Sequence, residues 1–342
     1  MLPLALAGIL AAQTPERILI DTDPKKFNDD NVVLVMCVRS PERVSILGVT
    51  VVAGNVWASQ GAVHARRTLR LLGQNIPVHL GAQQPLVHTR EMSRQEGPLK
   101  FVGAFATPKP RPQPETAVEF MIQTLEREPD GVTILAIGPL TNVARVLQQR
   151  PDLAAKVRRL VIMGGNLYVP GNASKAAEFN FWFDPEAARI VLRSSIPKKI
   201  LFGLDICNKA VLTREIFESV VRRQTPITRL YRESFGNGFP GFYKNPNASG
   251  FLWDELAAAY LIDPAFVTRS ETRYLDVETT FGPRYGATVP VNAPPAPGVT
   301  AVEVMLDPDV DRVVDLYRKL LVQTQPTGSS SAAATRPPTP PE

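Results

Sequence analysis

Short apolar runs alternate with amphipathic stretches through the first two thirds of the chain. Six runs are continuous enough to be strands buried on both faces, and the stretches between them carry apolar residues at helical spacing. The runs are RILIDTD (17–23), VSILGVTVVAG (44–54), IPVHLG (76–81), VTILAIG (132–138), RRLVIMGG (158–165) and KKILFGLD (198–205); the clearest helical stretches are 58–73, 115–128, 140–151 and 185–195. This alternation predicts an α/β fold with a doubly wound, mostly parallel open sheet of Rossmann-like type.

The remainder of the chain predicts additions to that sheet. Residues 209–262 have a mostly helical pattern with a Gly/Pro/Asn-rich interruption at 236–250, and residues 273–306 have the pattern of extra strands. We therefore expect one domain, residues 16–323, with a helical elaboration over the active site.

The two ends of the chain differ from this body. Residues 1–15 open with an apolar run that closes on small residues, as in a secretory signal, but without the usual positive leader. The prediction is a periplasmic or secreted protein; the alternative is a truncated or misassigned start and a cytoplasmic protein. Residues 324–342 are rich in Pro, Ser and Ala and are expected to form a disordered tail.

Composition narrows the possible partners. The chain has 342 residues, 44% hydrophobic and 21% charged, as is usual for a globular protein. The net charge of +5 is spread along the chain, which argues against a nucleic-acid polymer as partner. Beyond the N-terminus no apolar stretch is long enough to span a membrane. Cys37 and Cys207 lie far apart in apolar contexts and are expected to be free thiols.

Four aspartates follow the first predicted strand within ten positions: Asp21, Asp23, Asp29 and Asp30. In a doubly wound sheet, ligands bind outside the carboxyl ends of the strands, where these acids are expected. Amide and acid side chains dominate the other strand ends too, and the chain has no glycine-rich phosphate loop and no zinc-type spacing of its three histidines.

Carboxylates that converge at one strand end need a cation to offset their repulsion. With oxygen ligands and no nearby Cys or His, Ca²⁺ is the first expectation and Mg²⁺ the second. Helix capping is the structural alternative, since Asp29 and Asp30 would stabilise the first turn of the following helix. Capping explains one or two acids but not four, so we favour a metal site.

Five motifs in one order carry a family resemblance. They are the aspartate cluster, TVVAGN (50–55), AIGPLTNVA (136–144), VIMGGN (161–166) with GNASKAAEFNFWFDPEAA (171–188), and LWDELAAAYLIDP (252–264). In these motifs the chain resembles the inosine–uridine nucleoside hydrolases, calcium-dependent enzymes that cleave the N-glycosidic bond of nucleosides. Lys25 stands where the family pattern has glycine, and Phe27 where it often has another acid.

The resemblance implies roles for particular residues. Asp23, Asp30 and Asp254 are expected to bind Ca²⁺, together with the backbone carbonyl of Ile137. Asp21 is expected to orient its neighbours through hydrogen bonds.

The remaining implied roles concern the substrate. The residues expected to bind ribose are Asp29, Asn55, Asn172, Glu178 and Asn180, and Met163 is expected to line the sugar pocket or to be a plain core residue. The resemblance also implies a small-molecule nucleoside substrate, no organic cofactor, and a homodimer or homotetramer.

The chemistry of N-riboside hydrolysis accounts for these residue types. Positive charge develops on the sugar ring, and anionic or amide oxygens around the ribose stabilise it. Calcium lowers the pKa of the attacking water, and Asp23 is the candidate base that takes its proton.

The leaving base must be stabilised as well. Many members of the family have a histidine acid directly before the last calcium aspartate, but here that residue is Trp253. The purine-specific branch is similar in having tryptophan there, so Trp253 is expected to stack on the base and favour purines. The second tryptophan of that branch is missing, and Tyr243 and Glu96 are the alternatives for the acid.

Two other functions remain open at this point. The DTD motif is compatible with a Mg²⁺-dependent phosphatase, although Lys25 stands where that motif usually has threonine. A nucleoside- or ribose-binding protein that has lost turnover is the second alternative, prompted by Lys25 and by the missing histidine. Release of free base from inosine distinguishes an enzyme from such a binding protein.

Overall fold

The computed structural model describes residues 14–96, 103–245 and 247–323. The predicted tail, residues 324–342, and nearly all of the predicted leader lie outside these ranges, so both stay predictions. No helix among the described residues is long and apolar enough to cross a membrane.

A nine-stranded sheet forms the centre of the molecule, in the order β10-β9-β11-β6-β5-β4-β1-β2-β3. The strands of the structure are β1 (Glu16–Thr22), β2 (Val44–Val51), β3 (Val78–Leu80), β4 (Val132–Ala136), β5 (Val157–Met163), β6 (Lys199–Phe202), β7 (Val211–Leu212), β8 (Gly250–Phe251), β9 (Val267–Val277), β10 (Thr288–Val291) and β11 (Val302–Pro308). From β3 to β11 every neighbouring pair is parallel, whereas β9 and β10 add an antiparallel edge. The predicted doubly wound, mostly parallel sheet is confirmed.

Helices cover both faces of this sheet. They are α1 (Asp29–Val38), α2 (Ala58–Leu71), α3 (Arg90–Gln95), α4 (Ala117–Arg127), α5 (Thr141–Gln149), α6 (Phe179–Phe183), α7 (Pro185–Leu192), α8 (Leu204–Cys207), α9 (Arg214–Val221), α10 (Pro226–Asn237), α11 (Asp254–Ile262) and α12 (Val310–Val322). The start of α7 shows why the sequence folds this way. Pro185 occupies its first turn, where no backbone donor is needed, and the Asp184 carboxylate accepts from the N–H of Ala187.

Two hydrophobic clusters, one on each face, hold the helices to the sheet. In β1, Ile18 and Ile20 belong to one cluster and Leu19 to the other, because alternate side chains of a strand point to opposite faces. All three are fully buried. This two-sided burial is the reason why the strands are continuous apolar runs in the sequence.

The helical elaboration is held at both ends by a feature that the sequence pattern did not predict. Strands β7 and β8 pair antiparallel through Val211 with Phe251 and Leu212 with Gly250. Helices α9 and α10 lie in the chain between them. Two-residue strands are too short to leave a periodic signal, so the sequence could not predict this pairing.

Candidate active site

A cavity of about 1130 Å³ opens at the carboxyl ends of the central strands. Of the predicted site residues, ten line it: Asp23, Asp29, Asn55, Ile137, Met163, Asn172, Glu178, Asn180, Trp253 and Asp254. They follow β1, β2, β4 and β5 or begin α1, α6 and α11. The rule that ligands bind at the carboxyl edge of an open α/β sheet therefore located the cavity correctly.

Asp29 and Asp254 line the floor of this cavity, and the fully buried Asp30 lies against them without lining it. One oxygen each of Asp29, Asp30 and Asp254 lies within 4.8 Å of the others. Asp29 and Asp30 form the first turn of α1, and Asp254 begins α11, so the positive ends of two helix dipoles point at the group. The dipoles attract negative charge but do not neutralise three acids.

Asp30 is held in place by short hydrogen bonds. Its carboxylate accepts from the backbone N–H of Asp23 at 2.9 Å and from the Asn28 amide at 2.6 Å, and also from the hydroxyl of Thr22. Burial, followed by the charge of Asp29, raises the pKa of Asp30 to about 6. The side chain is thus rigid and electrostatically uncompensated.

Asp23 lies next to this group in a niche that only glycines permit. A Cβ on Gly54 or Gly138 would lie 2.1 Å or 2.7 Å from its carboxylate oxygens. The backbone N–H of Asn55 donates to its Oδ2 at 2.5 Å. Burial and the charge of Asp30 raise its pKa well above the usual range.

Asp21 is buried behind the cavity rather than on its wall. Its Oδ1 accepts from the Thr50 hydroxyl at 2.6 Å and from the Asn142 amide at 2.8 Å. Burial raises its pKa to about 7. These bonds tie β1 to β2 and α5, and the orienting role expected for Asp21 stays a prediction.

Glu178 and Asn180 connect another part of the cavity wall to the sheet. The Glu178 carboxylate accepts from the backbone N–H groups of Gly165 at 2.8 Å and Asn180 at 2.9 Å, capping α6. Burial raises the pKa of Glu178 to about 7. The Asn180 amide donates to the carbonyls of Ile137 at 3.2 Å and Met163 at 3.1 Å. One amide therefore holds two predicted site residues.

One end of the cavity is aromatic. Trp253 lies parallel to Phe239, with ring centroids 6.2 Å apart and planes 9° apart, and Phe251 lies 5.6 Å from it. Phe239 is 59% exposed and Trp253 is partly buried. These rings offer an aromatic face to a flat ligand next to the acids.

Comparison with known proteins decides the family. The model of the inosine-uridine preferring nucleoside hydrolases matches residues 18–315. The chain belongs to this family. Its members hydrolyse the N-glycosidic bond of ribonucleosides, so the predicted enzyme class is confirmed and the phosphatase alternative is set aside.

Individual nucleoside hydrolases support the same conclusion. The pyrimidine-specific ribonucleoside hydrolase RihB of Escherichia coli O1:K1 is 30% identical over 298 residues, which cover 86% of this chain and 93% of the relative. The plant nucleoside hydrolase PpNRh1 superposes with a TM-score of 0.75 at 25% identity, over 91% of this chain and 100% of that one. An inosine-guanosine nucleoside hydrolase gives 0.73 at 26% identity, over 90% and 98%.

Nucleoside hydrolases use a metal ion, and the residues at the floor of the cavity fit one. Three carboxylates and the nearby carbonyl of Ile137 are hard oxygen donors, and the acidic group contains no cysteine or histidine. Asp29, expected only to bind ribose, belongs to this acidic group, whereas Asp23 lies beside it. Asp29 belongs to the acidic group because it directly precedes Asp30 in the first turn of α1.

Sequence reasoning missed several residues that contact or surround the cavity. Phe239 comes from the interruption in the helical segment, and His64 reaches the wall from α2. Lys26 and Glu233 form an ion pair at 2.5 Å that joins the aspartate loop to α10. Only the aromatic and charged character of these segments could have suggested them, because their proximity depends on long-range packing.

Neither alternative for the leaving-group acid lies at the cavity. Tyr243 and Glu96 are absent from the described residues that line it. Glu96 instead accepts from the indole N–H of Trp182 at 2.7 Å. The structure therefore gives no support to either residue as the acid.

Proposed function

We propose that this chain hydrolyses purine ribonucleosides to free base and ribose with the help of a bound Ca²⁺. The observation that carries the proposal is the meeting of Asp29, Asp30 and Asp254 within 4.8 Å at the floor of a cavity whose other end is aromatic. A hard cation and a flat base would thus be held side by side.

The carboxylates of Asp29, Asp30 and Asp254 and the backbone carbonyl of Ile137 would hold the cation. When bound, Ca²⁺ would supply Lewis acidity that lowers the pKa of water and would fix the sugar hydroxyls. Asp23 receives the proton of the attacking water in this proposal. Its position supports that role, because Asp23 lines the cavity beside the acidic group, with its backbone N–H donating to Asp30.

The ribose would be bound by a ring of acid and amide groups. Asp29 and Asn55 line the cavity on the β1–β2 side, and Asn172, Glu178 and Asn180 line it on the other. Their oxygens stabilise the positive charge that develops on the sugar ring. Met163 would fill the remaining apolar side of the sugar pocket, since it is 3% exposed and still reaches the cavity wall.

The base would stack on Trp253, with Phe239 as the second aromatic surface. Stacking makes a departing purine easier to protonate, and it favours the larger ring by about 1 kcal/mol. The sequence lacks the second tryptophan of the purine-specific branch. Phe239 would take its place as the second aromatic group beside Trp253. The relatives differ on this point, since one is pyrimidine-specific and another acts on inosine and guanosine.

A nucleoside panel tests this proposal. Ribose release from inosine, guanosine, adenosine, uridine and cytidine would be measured with Ca²⁺, with Mg²⁺ and after removal of metals by a chelator. The expected result is turnover of the three purines that stops with the chelator and returns best with Ca²⁺. Uridine as the best substrate would overturn the purine part alone.

The same panel separates the enzyme from a binding protein. Calorimetric binding of inosine without any release of hypoxanthine would show a binding protein. Turnover that persists in chelator, with no metal found by elemental analysis, would contradict the role of the cation.

Assembly and location stay predictions. A homodimer or homotetramer follows only from the family resemblance. Export to the periplasm or secretion follows only from residues 1–12, which lie outside the described residues.

A further inference from the structure

Asp205 is a buried acid to which the proposed mechanism gives no role. It is the second residue of α8, shortly after β6, and is 4% exposed. Its Oδ2 accepts from the backbone N–H of Leu167 at 2.8 Å, and its Oδ1 accepts from that of Tyr168 at 2.7 Å. Hydrogen bonds to a carboxylate are stronger than those between neutral groups. Asp205 therefore ties a segment that is distant in sequence to the end of β6.

That segment is the β5–α6 loop, residues 164–178, which carries two of the proposed ribose-binding residues. Asn172 lies within the loop, and Glu178 is its last residue. Asn166, which directly precedes the two residues that Asp205 holds, accepts from the backbone N–H of Glu178 at 2.9 Å. The backbone position of Glu178 thus depends on where the first arm of the loop lies.

A second bond fixes the side chain of Glu178 to the same arm. Its carboxylate accepts from the N–H of Gly165 at 2.8 Å. Gly165 has φ +72°, and a Cβ there would lie 2.8 Å from the Thr288 hydroxyl, so only glycine fits this turn. Both the backbone and the carboxylate of Glu178 are therefore set by residues 165–166, and Asp205 holds the residues that follow them.

The loop is also attached to the fold by bonds that do not involve Asp205. The backbone N–H of Leu204 donates to the carbonyl of Gly165 at 2.9 Å. The backbone N–H of Asn166 donates to the Thr288 hydroxyl at 3.2 Å. Loss of the Asp205 bonds should therefore let the first arm shift without detaching the loop from the sheet.

We propose that Asp205 is a positioning residue for the hydrolysis, which holds Glu178 and Asn172 where they stabilise the charge that develops on the ribose. Groups that stabilise a transition state must be in place before the reaction, and a displacement of about 1 Å can cost a hundredfold in rate. Asp205 is not among the described residues that line the cavity, so it acts through the loop. This inference rests on the ribose-binding part of the proposed function.

Steady-state kinetics of Asp205→Asn test the proposal. One acceptor oxygen becomes an amide group that faces a backbone N–H, so one of the two bonds to the loop is lost. We expect kcat for inosine to fall about ten- to a hundredfold while KM changes by less than about threefold, because the loop groups act mainly on developing charge. The same fall is expected for p-nitrophenyl riboside, since the loop acts on the ribose and not on the base.

Asp184→Asn is the matched control. Asp184 is also a buried acid outside the cavity, and its carboxylate accepts from the backbone N–H groups of Leu86 at 2.9 Å and Ala187 at 3.1 Å. It also accepts from the Thr141 hydroxyl at 2.6 Å. Its bonds hold α7 and not the β5–α6 loop. The control should lower the melting temperature at least as much as D205N does, but leave kcat within about twofold of the parent.

The outcomes separate the inference from the function it rests on. A kcat of D205N within twofold of an active parent would overturn the inference alone, and so would an equal fall in D184N, which would show a general effect of lost stability. A fall for inosine without one for p-nitrophenyl riboside would also overturn it. A parent that releases no ribose from any nucleoside would overturn both. If D205N does not fold, Asp205→Ser keeps one acceptor without an amide group, and the same kinetics decide.

Discussion

The two ends of the cavity are built in different ways. The acidic floor comes from strand ends and first helical turns, and its side chains are buried and hydrogen-bonded, as with Asp30 and Glu178. The aromatic end comes from the segment between β7 and β8 and from the residues just after it, and Phe239 there is 59% exposed. The acidic floor is built from the sheet and the helical turns that follow its strands, whereas much of the aromatic end lies in a segment that is added to the sheet.

This difference assigns different tasks to the two ends. Groups that stabilise charge in a transition state must be held rigidly before the reaction, which the buried floor provides. Groups that select a base need only offer surface of the right size, which exposed rings provide. Bond cleavage should therefore depend on the floor, and substrate choice on the aromatic end.

The largest expected effect is at the floor. Asp254→Asn removes one of three converging charges, so we expect loss of calcium binding and a fall in kcat on the order of a thousandfold for purine and pyrimidine nucleosides alike. Calcium calorimetry and ribose release measure the two losses. Asp263→Asn, at the other end of α11, serves as control because its carboxylate lies outside the cavity, where it pairs with the exposed Arg312 and accepts from the N–H of Ala265 at 3.3 Å. Selective loss of purine turnover would contradict the separation of tasks.

A smaller, selective effect is expected at the aromatic end. Trp253→Ala and Phe239→Ala should each lower kcat/KM for inosine by about fivefold, because each removes a stacking surface worth about 1 kcal/mol. Both should change the hydrolysis of p-nitrophenyl riboside much less, since that leaving group needs no proton.

Steady-state kinetics on the two substrates provide the measurement. Equal losses on both substrates would make Trp253 a wall of the pocket and not a base-activating surface. Phe281→Ala, an exposed ring outside the cavity, is the control for loss of aromatic surface in general.

A third effect concerns stability and pH without metal, and not catalysis. Burial raises the pKa of Glu178 and Asp21 to about 7, from ordinary values of 4.5 and 3.8. Between those values and pH 7 the folded state holds protons that the unfolded state has released, so stability should fall as pH rises from about 4 to 7. The loss is on the order of 3 kcal/mol for each group.

Urea unfolding in chelator at several pH values would measure this loss. Phe239→Ala should leave the slope unchanged, because the aromatic end carries none of these carboxyls. Stability that rises with pH over this range would show that Glu178 and Asp21 are already ionised without a cation.

The floor could be predicted from sequence because it follows from topology. Asp23 and Asp30 come directly after a strand with a two-sided apolar pattern, and Asn55 follows the next strand. Parallel strands bring such residues to one edge whatever the details of packing. Asp254 was found only through the family resemblance, since no strand precedes it that the pattern could show.

The aromatic end and the anchor of the β5–α6 loop could not be predicted in this way. Phe239 reaches Trp253 because of how the segment after α10 folds back, and no local period records that path. Asp205 has the same sequence signal as any acid that follows a strand. Its bonds to Leu167 and Tyr168 depend on packing between segments that are far apart in the sequence.

The pairing of β7 with β8 has a consequence for how such enzymes diverge. The two-residue strands β7 and β8 pair with each other on either side of residues 213–249. These residues therefore form a loop whose length and side chains can change without moving Asp254. Selection can thus alter what the protein recognises while the hydrolytic apparatus stays constant. A family with this architecture can change its substrate specificity by exchanging one segment, while its reaction stays the same.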